Sequence, residues 1–281
     1  MLYMRLMVED KNVQRWIIVE NSYDFNRDKK EVFLKEALKE NRFRQFLDKI
    51  YICEQSMPVP HTRHFKELPI YQPYAKQGYY FSIEQVQRML AISKMMEDND
   101  QIDTTYVIIC DLDEFFTPQP NDHEELMIFA KKKDSLTLAR RKFMWDYNNI
   151  SFRHATVPMI NLGWSLIDPF RRLGQARFYN HELFSSNLHM VSEYHNCFSR
   201  ELIHKKYISH PHPGRHSNLA LQLSLKMNHS LISIGNCTEF ERNDPIRCEM
   251  LDLESNLIPK EIKECSHMFT NCIDTAYKKN R

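Results

Sequence analysis

A chain of 281 residues, 42% apolar and 12% aromatic, has room for one large domain or two small ones around a real core, and is not disordered in composition. Its 38 Lys and Arg against 37 Asp and Glu leave a net charge of +1, so no charge argument favours nucleic acid or an anionic membrane surface as partner. With only five glycines, and neither G-x-G-x-x-G nor G-x-x-x-x-G-K-[ST], a nucleotide site built from a glycine-rich loop is nearly excluded.

The opening MLYMRLMVEDK reads as a helix over residues 2–10 and lacks the apolar block of a signal peptide. No apolar run approaches the roughly 20 residues that cross a bilayer, so the expectation is a soluble, cytoplasmic protein. RWIIVEN (15–21) reads as a short buried strand ending on Glu20 and Asn21. Apolar residues at helical spacing predict a helix between Lys29 and Phe46, and KIYIC (49–53) predicts a second strand. SMPVPHTRHFKELPIYQPY comes next as a polar, proline-broken loop. Ser82 then opens an amphipathic helix, SIEQVQRMLAISKMMED, that carries Arg88.

TTYVIICD predicts a third strand, PNDHEELMIFAKKK a helix started by Asn121 or Asp122, and SLTLARRKFMW a further strand. Strands and helices alternate up to this point, which argues an α/β fold with a mainly parallel central sheet flanked by helices. After about residue 145 the pattern breaks into short aromatic pieces and histidines, predicting an irregular C-terminal portion. Seven cysteines, at 53, 110, 197, 237, 248, 265 and 272, form no C-x-x-C pair. Their odd number suits a reducing compartment, and the four from Cys237 onward leave a C-terminal disulfide open.

The segment with most chemistry is YVIICDLDEFFTP, where Asp111, Asp113 and Glu114 crowd the end of the most strand-like run. Ligands of open α/β sheets bind beyond the carboxyl ends of strands. In extended geometry Asp111 and Asp113 point to one side, about 7 Å apart, where they could share a hard divalent cation. A solvated acidic turn is the plain alternative.

This segment resembles the DxD stretch of GT-A fold glycosyltransferases. Together with WIIVENSYDFNRDKKEVFLKE, FSIEQVQRMLAI and SEYHNCFSRELIHKKYISHPH, in that order, it is similar to glycosyltransferase family 17, the N-acetylglucosaminyltransferase-like group. The likeness spans roughly residues 2–215, and the anchorless form also resembles glycosyltransferases of large algal viruses, among them a xylosyltransferase. The family usually has one more strand ahead of the first helix, and this sequence begins at that helix.

The resemblance implies a single GT-A-like (Rossmann-like) domain: residues 1–140 for the nucleotide-sugar, 141–235 for the acceptor, 236–281 as a C-terminal extension. It implies transfer of xylose or N-acetylglucosamine from a UDP-sugar to a hydroxyl of an oligosaccharide or glycoprotein acceptor, with Mn²⁺ or Mg²⁺ as cofactor and a viral protein in the host cytoplasm as one setting. Nucleotide-sugar contacts would come from Glu20, Asn21, Arg88, Asp111, Leu112 and Asp113. The metal would sit on Asp111 and Asp113, with His212 of SHPHPGRH as a further ligand beside His210 and His216. An inverting transfer needs a base within reach of the acceptor hydroxyl. Glu193, His195, Asp146 and Glu182 are candidates; the family's His corresponds to Glu193, two residues from His195. Trp145, Tyr147, Trp164, Phe170 and Tyr179 could stack on sugar rings or fill the core.

Two rivals stand beside this reading. A haloacid dehalogenase-type phosphatase also places DxD after an apolar strand, but expects Thr or Val where this chain has Phe115. A catalytically inactive sugar-binding module would keep the fold without turnover.

Overall fold

The computed structural model describes residues 1–23, 29–55, 87–88, 91, 102–144, 149–167, 182–184, 189–195, 232–233, 236–239, 244–250, 258 and 260–264. Helix α1 (Leu2–Glu9) matches the expected first helix, and it works on two sides. Met4 and Val8 join a core with Phe115, Phe143, Tyr194, Ile258 and Ile262. Leu6 joins another with Trp16, Leu34, Leu38, Phe43 and Phe46. An eight-residue helix has little stability alone, so these two apolar faces hold it.

Strand β1 (Trp16–Asn21) pairs in parallel with β2 (Ile50–Gln55), in register from Trp16↔Ile50 to Asn21↔Gln55. The single helix expected between Lys29 and Phe46 is instead two pieces. Helix α2 (Leu34–Ala37) gives way to a 3-10 helix over Asn41–Lys49, after Glu40 turns extended. The buried residues carry the reason: Leu34 and Leu38 stand four apart, Phe43 and Phe46 three apart. That second spacing suits three residues per turn.

Beyond it come β3 (Tyr106–Ile108), β4 (Glu114–Phe116), helix α3 (Pro120–Ala130), β5 (Ser135–Met144) and β6 (Asn149–Asn161). Helix α4 (Leu162–Leu166), β7 (Glu182–Leu183) and β8 (His189–His195) are next. Last are β9 (Ile232–Ser233), β10 (Asn236–Glu239), β11 (Asp244–Met250) and helix α5 (Lys260–Glu264). Helix α3 begins at Pro120 behind Gln119, not at Asn121 or Asp122, because a proline at the first helical position has φ already set.

The larger sheet runs β4-β8-β5-β6-β11-β10-β9, with β3 also on β6 and β7 also on β5. This is a mixed α/β protein, but its sheet is not mainly parallel as expected. Among the described residues β8 and β7 run parallel to β5, whereas β5, β3 and β11 run antiparallel to β6, and β4 antiparallel to β8. Only residues 145–148 separate β5 from β6, too few for a crossover, so the two strands must run antiparallel. Strand β6 itself falls where the sequence predicted irregular structure: its polar residues and Pro158 hide a 13-residue strand. Pro158 opposes Thr137, and its carbonyl accepts from Ile109 N at 3.1 Å. Strands β10 and β11 show that the segment from residue 236 adds to this sheet.

Packing centres on Tyr194, whose ring lies 5.0 Å from Phe143, stacked within 7°, and 5.0 Å from a tilted Phe115. Glu9, 1% exposed, ties three elements together. Its carboxylate accepts from Arg5 Nε at 3.0 Å, Trp16 Nε1 at 2.7 Å and the backbone N–H of Phe116 at 2.7 Å. Burial opposes the Arg5 charge, but Glu9, with Cys110 and Glu114 nearby, outweighs it and holds the guanidinium above its ordinary value. At α4, Asn161 caps the helix by accepting from Trp164 N. A Cβ at Gly163 would come 2.6 Å from Asp103 Oδ1, so any larger residue there would have to displace the Asp103 carboxylate. Among the described residues no helix is long and apolar enough to cross a membrane.

Candidate functional site

The three acids after β3 do not lie along an extended strand. Glu114 N donates to Asp111 O at 3.0 Å, closing a four-residue turn with Leu112 at its exposed tip. Asp111 and Asp113 therefore belong to one turn, on either side of Leu112, instead of lying along an extended strand. Asp111 is exposed and Asp113 half-buried. Their backbone is held from three directions: Arg5 Nη1 of α1 donates to Asp111 O at 2.8 Å, Tyr194 N of β8 donates to Asp113 O at 2.8 Å, and Glu114 Oε2 accepts from Asp111 N at 2.7 Å.

Glu114 parts company with its two neighbours. It is 1% exposed and sits directly across from Glu193 in the β4–β8 pair. Two facing carboxylates repel, and Arg140 of β5 reaches between them. Its Nη1 bonds Glu114 Oε1 and lies 3.2 Å from Glu193 Oε2. Lys142, opposite Glu193 in the β5–β8 pair, places Nζ 3.7 Å from Glu193 Oε1. Two acids and two bases thus neutralise one another inside the sheet.

A second group lies at the ends of β1 and β2. Glu20 accepts from Phe33 N at 3.2 Å and Leu34 N at 3.0 Å, so its carboxylate caps α2. Asn21 Oδ1 accepts from Tyr23 N at 3.1 Å, which fixes the orientation of the amide. Its Nδ2 is buried with no partner, and so is Oε1 of Gln55, its neighbour in register. A buried donor and a buried acceptor on residues paired in register, neither with a hydrogen bond, call for a ligand or an ordered water.

The remaining candidates are scattered. Arg88 is helical and half-buried. Glu182 is exposed and pairs with Lys133 at 2.7 Å. His195 ends β8 opposite Met144. Trp164, half-buried, packs on Ile160 and Leu162. Asp146, Trp145, Tyr147, Phe170, Tyr179, His210, His212 and His216 lie outside the described residues. Among the described residues no group of three or more His, Cys, Asp or Glu converges to hold a metal ion. Asp111 and Asp113 supply two carboxylates, an oxygen-only set suited to a hard cation that keeps other positions open.

Sequence reasoning missed Arg5, Glu9, Gln55, Arg140 and Lys142. For two of them a signal exists: Arg140 and Lys142 share the two-residue period of buried Leu136 and Leu138, and a cation on that face needs a buried anion. No protein-family model, no curated protein and no solved structure matches the chain.

Proposed function

We propose that the chain is a metal-dependent glycosyltransferase that moves a sugar from a uridine diphosphate donor to an acceptor hydroxyl. The observation that carries this reading is the unsatisfied amide pair, Asn21 Nδ2 and Gln55 Oε1, at the ends of parallel strands. The imide edge of uracil sets an N–H beside carbonyl oxygens and would meet both atoms. The strand-end position is also where α/β sheets receive nucleotides. The resemblance of residues 106–118 to the DxD stretch gives the same direction, with xylose or N-acetylglucosamine as the sugar.

In this reading Asp113 and Asp111 hold Mn²⁺ or Mg²⁺, which would offset the charge that gathers on the departing diphosphate. The chain's own part is to keep the turn still, through Arg5, Glu114 and Tyr194, so that the carboxylates need no rearrangement. Glu193 is a poor proton acceptor for the sugar-accepting hydroxyl, since both its oxygens face cations in the interior. That role passes to His195 or Asp146.

Incubation with UDP-sugars and Mn²⁺, with UDP release as the readout, tests the proposal. Release with one sugar and not others is the expected result. Liberation of inorganic phosphate from simple esters would indicate a phosphatase, and binding of sugar without any release an inactive module.

A further inference from the structure

A buried set of two acids and two bases is costly to desolvate, and well-packed apolar residues would stabilise the sheet as well or better. What such a set supplies instead is a fixed arrangement of atoms. Here the arrangement has a direction. Lys142 and Arg140 meet Glu193 as ion pairs at 3.7 and 3.2 Å without a hydrogen bond to its Oε2, Arg140 hydrogen-bonds Glu114, and the other oxygen of Glu114 takes the N–H of Asp111 at 2.7 Å. Glu114 is therefore at once the inner anchor and the clasp of the acidic turn. Strand β8 reaches the same turn by a second route: Tyr194, the residue after Glu193, donates its backbone N–H to Asp113 O.

We propose that Glu193, Arg140 and Glu114 form a positioning relay that sets the geometry of the Asp111–Asp113 turn, with Glu193 acting through Arg140 and never touching donor or acceptor. Its bearing on metal binding rests on the function proposed above; its bearing on the turn does not.

Glu114→Gln is the direct test. A carboxylate accepts from both Arg140 and Asp111 N, whereas an amide has one accepting end, so one of the two donors must face an NH₂ group. Arg140→Lys and Glu193→Gln perturb the relay one and two steps further away from the turn's clasp, and keep the question open to refutation where Glu114→Gln fails to fold. Phe46→Leu, a truncation in the other core, controls for loss of stability alone. Two readouts are taken: amide hydrogen exchange at Asp111, and Mn²⁺ affinity from the free-ion paramagnetic resonance signal.

The expected result is exchange at Asp111 about tenfold faster in both Glu→Gln variants, Mn²⁺ bound about fivefold more weakly, and a double variant no worse than Glu114→Gln alone, as members of one network should behave. Phe46→Leu moves neither readout. Unchanged exchange in Glu114→Gln and Glu193→Gln would overturn the relay. So would a Glu193→Gln variant that abolishes transfer with Mn²⁺ affinity intact, which would make Glu193 the base. If the unaltered protein binds no Mn²⁺, the functional reading fails, while the exchange data still decide whether the relay holds the turn.

Discussion

At the end of β1, Glu20 turns its carboxylate onto two backbone N–H groups of the next helix, and the neighbouring Asn21 is left with an unsatisfied amide donor. At the end of β3 the arrangement is reversed: the backbone of Asp111 and Asp113 is engaged by Arg5, Glu114 and Tyr194, and the two carboxylates stand at or near the surface. Both places read alike in sequence, as acids where a strand stops. They differ in the element that the chain enters next. A helix begins after β1 and its unpaired N–H groups claim the acid, whereas a tight turn succeeds β3 and is held through the main-chain atoms of Asp111 and Asp113. The role of a strand-end acid is thus set by whether a backbone donor of the next element stands within its reach.

The largest effect expected from this contrast is on the β3 side. Asp113→Ala should lower UDP release from the donor roughly 10³-fold, the size of several kcal/mol of charge stabilisation, with the melting temperature within a few degrees of the parent. A variant that keeps its turnover would erase the contrast. Next, Asn21→Asp retains the oxygen that Tyr23 N needs and exchanges the unsatisfied donor for an acceptor. UDP affinity by calorimetry should fall about tenfold, and an unchanged affinity would remove the base-binding role from this strand end.

Glu20→Ala should do the opposite of Asp113→Ala. Loss of the α2 cap should cost about 2 kcal/mol in urea denaturation. UDP release per folded molecule should stay as in the parent; a large loss there, with stability intact, would place Glu20 at the ligand after all. The smallest effect concerns Tyr106 of β3, whose phenol donates to Ala130 O. Burial, reinforced by Asp134, raises its pKa above the usual 10.0 against the opposing hydrogen bond with Asn161. A raised value means the stabilisation is complete below about pH 10 and is lost as pH climbs through the folded-state value. Tyr106→Phe should flatten the alkaline end of the stability profile, and equal slopes for both proteins would refute the assignment.

The sequence made the first half of the fold legible where periods were clean. Helix α1, strands β1 and β2, helix α3 and strand β5 all fall, within a few residues, where apolar runs or helix-start signals put them. Strand β6 was not legible, because a two-residue period interrupted by Arg153, His154 and Pro158 does not announce a strand. Sheet direction was lost with it, since alternating elements up to residue 140 imply parallel strands only if a crossover comes after them. At the site, the place of Asp111 and Asp113 beyond β3 was readable, but the separation of Glu114 from them was not. That separation depends on Arg140 and Glu193, brought in by strands β5 and β8 from much further along the chain.

The contacts that hold the acidic turn come from residue 5 and residue 194, on opposite sides of it in the chain. During synthesis, α1 and the turn leave the ribosome long before β8 does. For that interval the carbonyl of Asp113 lacks the Tyr194 N–H and Glu114 has no Glu193 across from it. A nascent chain released early would carry Asp111, Asp113 and Glu114 without the full set of contacts that shapes their turn, so that shape is completed late, when β8 has docked and not when the acids themselves are made.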